Sequence, residues 1–375
     1  MPLTRITYTG PDDWPAIQKR LEERRDPGTS VANTVREILD DVRNRGDEAL
    51  ADYTRRFDCP DMAADAMRVP EADIAAALDA IPTDDVVVLE EAIANVRRFH
   101  ERQVENSWWL PGEDGCVLGQ MVRPVDRVGL YVPGGQGGET PLVSSLVMNA
   151  VPAQCAGVSN ICVTSPPRKD GTLNPYILAT AALLGIREVH MAGSAWAVAA
   201  LAYGTGSIAP CDVLAGPGNI FVATAKSLLV GQVGIDMIAG PSEIAILADS
   251  SADPAFLAAD MLSQAEHDPL AAALLVAWDE ALVDAVAAEL DRQVAELPRG
   301  EIAARSIADW GAALLVPGLD EGVELVNLLA AEHLELAVAE PWDMLGRIRH
   351  AGAIFLGHMS PEPVGDYFAG PNHVL

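Results

Sequence analysis

Apolar positions along the chain change their spacing twice. From Val31 to about Gln103 they recur at helical intervals: Val35, Ile38, Leu39 and Val42, then Ala49, Leu50 and Tyr53 beyond Gly46. Residues 1–25 read as an arm carrying a helix over Trp14–Arg24. Asp84–Arg102 is amphipathic, with acids early and Arg97, Arg98 and Arg102 late, as the helix dipole favours; His100 reads as a positive charge in its last turn. Near Cys116 the texture changes. Val117–Val132 gives two short β-rich runs around Pro124-Val-Asp126, followed by Pro133-Gly-Gly-Gln-Gly-Gly138.

Beyond that point strand-length apolar runs alternate with helical stretches. Helices over 142–153, 174–184, 195–203 and 220–229 interleave with strands over 160–164, 188–191 and 212–214. A second block has strands over 243–248, 271–278, 311–316, 334–338 and 353–355, with helices over 255–267, 280–297 and 319–329. Alternation of this kind predicts parallel sheets covered on both faces. The expected fold is α/β: two Rossmann-like three-layer α/β/α units of similar size behind an N-terminal helical arm. No repeat relates the two blocks.

Composition narrows the partners. The 375 residues carry 54 acids against 25 bases, a formal charge of -29, and half of them are apolar. A surface so acidic repels nucleic-acid phosphates and anionic lipid, so neither is expected as a partner. Cys59, Cys116, Cys155, Cys162 and Cys211 are odd in number and show no CxxC spacing. That fits reduced thiols, and with no signal-like or spanning apolar run the expectation is a cytoplasmic protein.

Loops leaving the strands of parallel sheets are the first place to seek a ligand. Tyr131-Val-Pro-Gly-Gly135 follows a strand; Gly216-Pro-Gly-Asn219 follows another and opens a helix, so its amides suit an anion. Gly240-Pro-Ser-Glu243 leads into a strand and Gly370-Pro-Asn-His373 lies at the end. Each is equally readable as ordinary turn chemistry. Neither GxGxxG nor GxxxxGK[ST] is present. Asp253 as cap, Pro254 in the first turn and Pro269 as stop frame a helix over 255–267 on which Gln264 and His267 share a face. They are two N/O donors for a metal, or a solvated amide and a cation at a helix end. With Asp366 they make three, leaving coordination positions open. Adjacent Glu332 and His333 can divide proton transfers, or merely end a helix. His190, His350 and His358 read as structural or exposed.

Together, in order, these stretches resemble histidinol dehydrogenases: Arg127-Val-Gly-Leu-Tyr-Val-Pro-Gly-Gly135, Gly216-Pro-Gly-Asn219, residues 233–243, Gln264-Ala-Glu-His-Asp-Pro269, residues 327–335 and residues 365–375. The resemblance implies an aldehyde-dehydrogenase-like architecture and a zinc-dependent homodimer that oxidises L-histidinol through histidinaldehyde to L-histidine with two NAD+. It places zinc on Gln264, His267 and Asp366, and makes Glu332 and His333 the acid–base pair. Ser242 and His373 would meet substrate, as would Gln264, His267, His333 and Asp366, the zinc ligands and the base. Tyr131, Trp196 and Asn219 would meet NAD. The domains expected are an arm over 1–25, a metal and substrate domain over 26–113 plus 242–375, and an NAD domain over 114–241.

Two departures accompany the resemblance. Trp196 stands where the family usually has a glutamine; an indole stacks but cannot copy an amide's hydrogen bonds. Family members continue past the position of Leu375 into a helical segment that crosses to the partner. It brings a fourth zinc ligand, a histidine, and a glutamate against substrate. The expectations are therefore weakly held zinc and impaired activity, from a fragment or a natural short form. A relative acting on another polar alcohol is the alternative.

Overall fold

A computed structural model describes residues 3–24, 28–135, 141–238 and 240–372. The chain divides into two compact units, one of Met1–Asp26 and Gly240–Asp366, the other of Pro27–Ala239 and Tyr367–Val374. We call them the six-stranded and the five-stranded unit. The expected α/β fold is present in each.

In chain order, β1 (Thr4–Thr7) and α1 (Trp14–Glu22) come first. Next are α2 (Gly28–Arg45), α3 (Asp47–Phe57), α4 (Glu71–Ala76) and α5 (Thr83–His100), then β2 (Trp108–Pro111), β3 (Val117–Gln120) and β4 (Arg127–Tyr131). The alternating stretch follows as α6 (Val143–Cys155), β5 (Asn160–Ser165), α7 (Pro175–Leu183), β6 (Glu188–Met191), α8 (Ser194–Tyr203), β7 (Val213–Ala215), α9 (Ile220–Leu229) and β8 (Gly234–Ile235). The second block runs β9 (Glu243–Ala248), α10 (Pro254–Ala265), β10 (Ala272–Ala277), α11 (Glu280–Val294), α12 (Gly300–Asp309), β11 (Ala312–Leu315), α13 (Leu319–Leu329), β12 (His333–Ala337), α14 (Pro341–Leu345), β13 (Ala353–Leu356) and α15 (Glu362–Val364).

The six-stranded unit holds a wholly parallel sheet in the order β1-β11-β10-β9-β12-β13. Every residue of β9, β10 and β12 is buried, which is why these strands read as unbroken apolar runs rather than alternating ones. One face packs on α10, α11 and α12 through Leu257, Met261, Val283 and Ile307; the other packs on α13 through Val323 and Val326, with Tyr8 and Ile17 alongside. The N-terminal arm is thus no separate element: β1 is an edge strand of this sheet, paired with β11.

The five-stranded unit has the parallel order β6-β5-β4-β7-β8 and a separate antiparallel hairpin, β2–β3. Helices α2, α3 and α5 belong here. Val35, Leu39, Leu50 and Val96 lie in one core with Leu130, Val163 and Leu214 of the sheet. The expectation that 26–113 joins the metal and substrate domain is replaced by this grouping, because the apolar faces of these helices meet the five-stranded sheet. No helix among the described residues is long and apolar enough to cross a membrane.

Candidate active site

In the six-stranded unit the chemistry gathers at the amino edge of the sheet. Glu243 opens β9, His333 opens the adjacent β12, and α10 returns the chain to the start of β10 with Gln264 in its last turn. Asp253 caps α10 by accepting from the Ala255 N–H at 2.8 Å, as its sequence promised. The helix stops at Ala265, however, so His267 stands exposed in the turn beyond, with Nδ1 3.3 Å from the Gln264 carbonyl. Gln264 itself is buried, and its Oε1 lies 3.1 Å from His333 Nδ1.

That contact assigns the ring. An amide oxygen only accepts, so Nδ1 carries the proton and Nε2 presents the working lone pair. His333 Nε2 lies 3.1 Å from Asp366 Oδ2, yet it is buried without an aligned hydrogen bond. Burial alone would push the imidazole pKa down; the neighbouring Asp366 carboxylate, with Glu332 and Glu362 behind it, holds it above the usual value. Asp366 sits in a π-helical turn over Gly365–Ala369, a rare geometry that recurs at functional sites. Glu332 accepts from the Glu243 N–H at 3.2 Å, and burial lifts its carboxyl. Ser242, the residue before β9, is half-buried. His373 lies outside the described residues.

Three residues here carried no sequence signal. Glu362 is buried, and its carboxyl is pushed up to about 8 by burial and then by the charge of Asp366. Ligand atoms of His333, Glu362 and Asp366 all fall within 4.8 Å of one another. Glu335 is buried on β12 and Asp260 half-buried on α10. In sequence all three look like surface acids; only the fold shows them turned inward. Arg24 was missed too. It is buried against Glu243 at 2.6 Å, which fixes the start of β9.

Would these residues suit zinc? The donors are an amide oxygen, an imidazole and carboxylates, a hard-to-borderline N/O set. Burial raises Asp260, Glu332, Glu335 and Glu362, a strain that a bound cation relieves. The set fits a divalent ion around Gln264 and Asp366. His267 lies outside the cluster formed by His333, Glu362 and Asp366.

The five-stranded unit keeps its candidate residues at the carboxyl edge. Tyr131 ends β4 and is buried; its hydroxyl accepts from the Ser194 N–H at 3.2 Å, and burial pushes it up to about 12. Gly216 approaches so closely that a Cβ would lie 2.1 Å from the Tyr131 carbonyl oxygen, at a φ of +128° that L side chains avoid. Lys226, buried and paired with Asp236, donates to the Gly216 carbonyl at 3.0 Å, and Asp236 accepts from the Gly216 N–H at 2.8 Å. Asn219 spends its Oδ1 capping α9 on the N–H groups of Phe221 and Val222. Trp196 is buried between Tyr53 and Phe57, ring centroids 5.7 and 5.4 Å away. Its stacking partners in the structure are therefore protein rings. Beside Gly193, Asp58 keeps one oxygen buried without a partner, and burial lifts it to about 6.

The remaining histidines divide. His190 is buried in β6 and His350 lies against the Asn327 carbonyl, both structural; His358 meets Ser251. His100 is not the helix-end cation expected. It is buried, bonded to Gln103 and Asn372, and burial pushes its pKa down. Asn372 also donates to the Met148 carbonyl, anchoring the end of the described chain on the five-stranded unit.

The histidinol dehydrogenase family model matches residues 21–375. The chain belongs to that family. It is 58% identical over 375 residues to the histidinol dehydrogenase of Nitratidesulfovibrio vulgaris, covering all of this chain and 86% of that protein. With the histidinol dehydrogenase of Oleidesulfovibrio alaskensis identity is 61%, at the same coverage. The crystal structure of the Elizabethkingia anophelis histidinol dehydrogenase superposes with a TM-score of 0.91 at 33% identity, covering 99% of this chain and 84% of that one. As a histidinol dehydrogenase family member the chain is an oxidoreductase.

Proposed function

We propose that the chain oxidises L-histidinol to L-histidine through histidinaldehyde, using two NAD+ and zinc, the closing steps of histidine biosynthesis. The observation that carries this reading is His333, held by Gln264 with Nε2 3.1 Å from Asp366 and with Glu332 next to it in the chain. Zinc would be held by Gln264 and Asp366, with His267 from the neighbouring turn. Bound there, it would orient the imidazole and amine of the substrate and polarise its alcohol.

This chain's own groups handle the protons. His333 Nε2 takes the hydroxyl proton while the carbinol hydride leaves for NAD+, giving aldehyde, NADH and a proton. Glu332 then takes a proton from the water that adds to the aldehyde, and His333 takes the hydroxyl proton of the hydrate as the second hydride departs. Ser242 and His373 would contact substrate. Tyr131, the Gly216–Asn219 loop and the rings around Trp196 would hold the dinucleotide, whose pyrophosphate suits helix N-termini. A homodimer is supported by the β2–β3 hairpin, which exposes Trp108, Trp109, Leu110, Val117 and Leu118 side by side.

The test is NADH formation from histidinol and from histidinaldehyde, measured separately. Glu332→Gln should slow the aldehyde step more than the alcohol step. Equal slowing of the two would remove Glu332 from water activation.

A further inference from the structure

The carboxyl edge of the five-stranded sheet holds an acid that the proposed chemistry does not use. Asp58 ends α3, where its backbone N–H donates to the Thr54 carbonyl at 2.9 Å. That end is the negative pole of the helix, a poor place for a carboxylate. Its side chain makes no hydrogen bond or ion pair among the described residues, and one oxygen, Oδ2, is buried. The arginines of the same turn are committed elsewhere. Arg55 bonds Asp52 at 2.6 Å and the Met62 carbonyl at 3.1 Å, and Arg56 lies over the Phe57 ring. A half-buried acid left unpaired at a negative pole opposes folding, and what it lacks is a donor.

Its neighbours say which donor. Numbered within its own parallel sheet, the unit has the strand order 3-2-1-4-5, that of a doubly wound dinucleotide-binding fold. In such sheets a carboxylate beyond the second strand takes a hydroxyl of the adenosine ribose. Here the second strand is β5, and it runs out into Pro166-Pro-Arg168. The first acid after it, Asp170, is spent on the N–H and hydroxyl of Thr172. Asp58 reaches this place from α3 instead. A Cβ on Gly193, in the turn after β6, would lie 2.8 Å from Pro166 Cβ and 3.3 Å from Asp58 Oδ2. The adjacent Cys59 thiol donates to the Lys169 carbonyl at 3.4 Å, pinning the end of α3 to the loop that leaves β5. Ser194, the first residue of α8, links the same corner to the Tyr131 hydroxyl at the end of β4.

We propose, on the NAD reading above, that Asp58 selects the cofactor: its carboxylate accepts from the adenosine ribose hydroxyls of NAD and repels the 2′-phosphate of NADP. Selection of this kind needs a repulsive element as well as an attractive one, and a single carboxylate supplies both. Lys169, exposed in the β5 loop, is a cation available to a phosphate once that carboxylate is gone.

Fluorescence titrations of the intact protein with NADH, NADPH and NADH lacking the adenosine 2′-hydroxyl test this in the parent, Asp58→Ser, Asp58→Asn and Asp61→Asn. Asp61 is an exposed acid three residues on and controls for bulk charge. The parent should bind NADH about tenfold or more tightly than either analogue, the size expected of a hydrogen bond to a charged group. D58S should bind NADH about tenfold more weakly, bind NADPH no more weakly than the parent does, and not distinguish NADH from its deoxy form. D61N should match the parent within about twofold for all three, as screened surface charge does. A structural role for Asp58 would weaken the three ligands in parallel. Such a parallel loss, an unchanged NADH-to-NADPH ratio in D58S, or a parent indifferent to the 2′ position overturns the assignment and leaves the NAD reading standing. A parent that binds no dinucleotide overturns the NAD reading and the assignment with it. D58N, neutral and of the same shape, carries the same comparisons should D58S fail to fold. Because it removes an unpaired acid from a negative pole, it should melt no lower than the parent; a clearly lower melt would make Asp58 a structural group.

Discussion

The amino edges of the two parallel sheets carry similar residues and opposite electrostatics. In the five-stranded sheet, Cys162, Glu188 and His190 bring ligand atoms within 4.8 Å of one another, a cluster that resembles a metal site. Arg127 closes it. Its guanidinium lies 2.5 Å from Glu188, and although burial opposes ionisation, the bonds from His190 and Arg127 hold that carboxyl down at about 2. Cys162 stays a thiol, its pKa raised well above the ordinary value by burial. In the six-stranded sheet the cluster of His333, Glu362 and Asp366 has acids behind it, and no Lys or Arg ion pair reaches Asp260, Glu335 or Glu362 among the described residues. The first edge is neutralised from within; the second is short of positive charge. Backbone polarity adds to the contrast, since α10 and α13 end at that second edge and present their negative poles. At the carboxyl edge of the five-stranded sheet α8 and α9 begin, presenting positive poles suited to a pyrophosphate. Chain direction thus gives one edge negative helix poles, suited to a cation, and the other positive poles, suited to an anion.

The largest expected effect comes from the group that joins these acids to chemistry. His333→Asn keeps a donor toward Gln264 but cannot accept a proton. We expect about 10²–10⁴-fold slower turnover of both histidinol and histidinaldehyde, with zinc content unchanged. Turnover within a few-fold of the parent would move the base elsewhere.

Next is the carboxyl edge of the other sheet. Gly216→Ala sets a methyl against the Tyr131 carbonyl at a backbone angle that alanine resists. Displacement of the loop should weaken NAD binding about tenfold or more, at a strain of about 1–3 kcal/mol. Fluorescence titration with NADH reads the first and thermal melting the second; zinc affinity should not move.

Much of this contrast was legible before the structure. The strands β4–β7 and β9–β12 announced themselves as apolar runs because both faces of each sheet are covered. β1 escaped because Thr4-Arg-Ile-Thr7 is a half-exposed edge, and β2 because Trp108-Trp-Leu-Pro111 is an exposed ribbon with no core to face. Helix α12 was not foreseen: the helical reading of its neighbour stopped at Leu297 and residues 298–310 were assigned to no element. Gln264, Glu332, His333 and Asp366 were all named in advance, and Gln264 and Asp366 do converge on His333. The rule that ligands sit where strands end pointed to Tyr131 and Gly216, which do lie at strand ends, but the acid-rich cluster forms where β9 and β12 begin. Glu335, Glu362 and Asp260 were invisible because burial of a carboxyl leaves no mark on sequence. Trp196 looked like a cofactor contact, but its stacking partners, Tyr53 and Phe57, lie far away in the chain.

Zinc itself sharpens the comparison. Binding only to the folded state stabilises by mass action, about 2.7 kcal/mol when the free ion is a hundredfold above its dissociation constant. We expect Zn2+ to raise the melting temperature and EDTA to reverse the rise. Asp366→Asn should abolish it, whereas Cys162→Ser with His190→Gln should leave it unchanged. Retention of the rise in D366N, with loss in the double variant, would exchange the roles of the two edges.

The smallest effect concerns pH at the neutralised edge. Glu188 has its folded pKa at about 2, below the ordinary 4.5, so it stabilises the protein fully above about pH 4.5 and loses that contribution as pH falls toward 2. Its side chain is 21% exposed, so solvent screening limits the gain to about 1–2 kcal/mol. Arg127→Met removes the cation that holds the carboxyl ionised, and Glu188, left buried beside His190, should then resist ionisation. The variant should be less stable than the parent at pH 7, with the difference shrinking as the pH falls below about 4.5, where Glu188 of the unfolded chain begins to protonate. Denaturant melts at pH 7, 5 and 3 measure this directly. A gap that stays constant across the three would mean that Arg127 acts through packing of its stem between β4 and β6. The five-stranded edge would then owe its quiet chemistry to shape more than to charge.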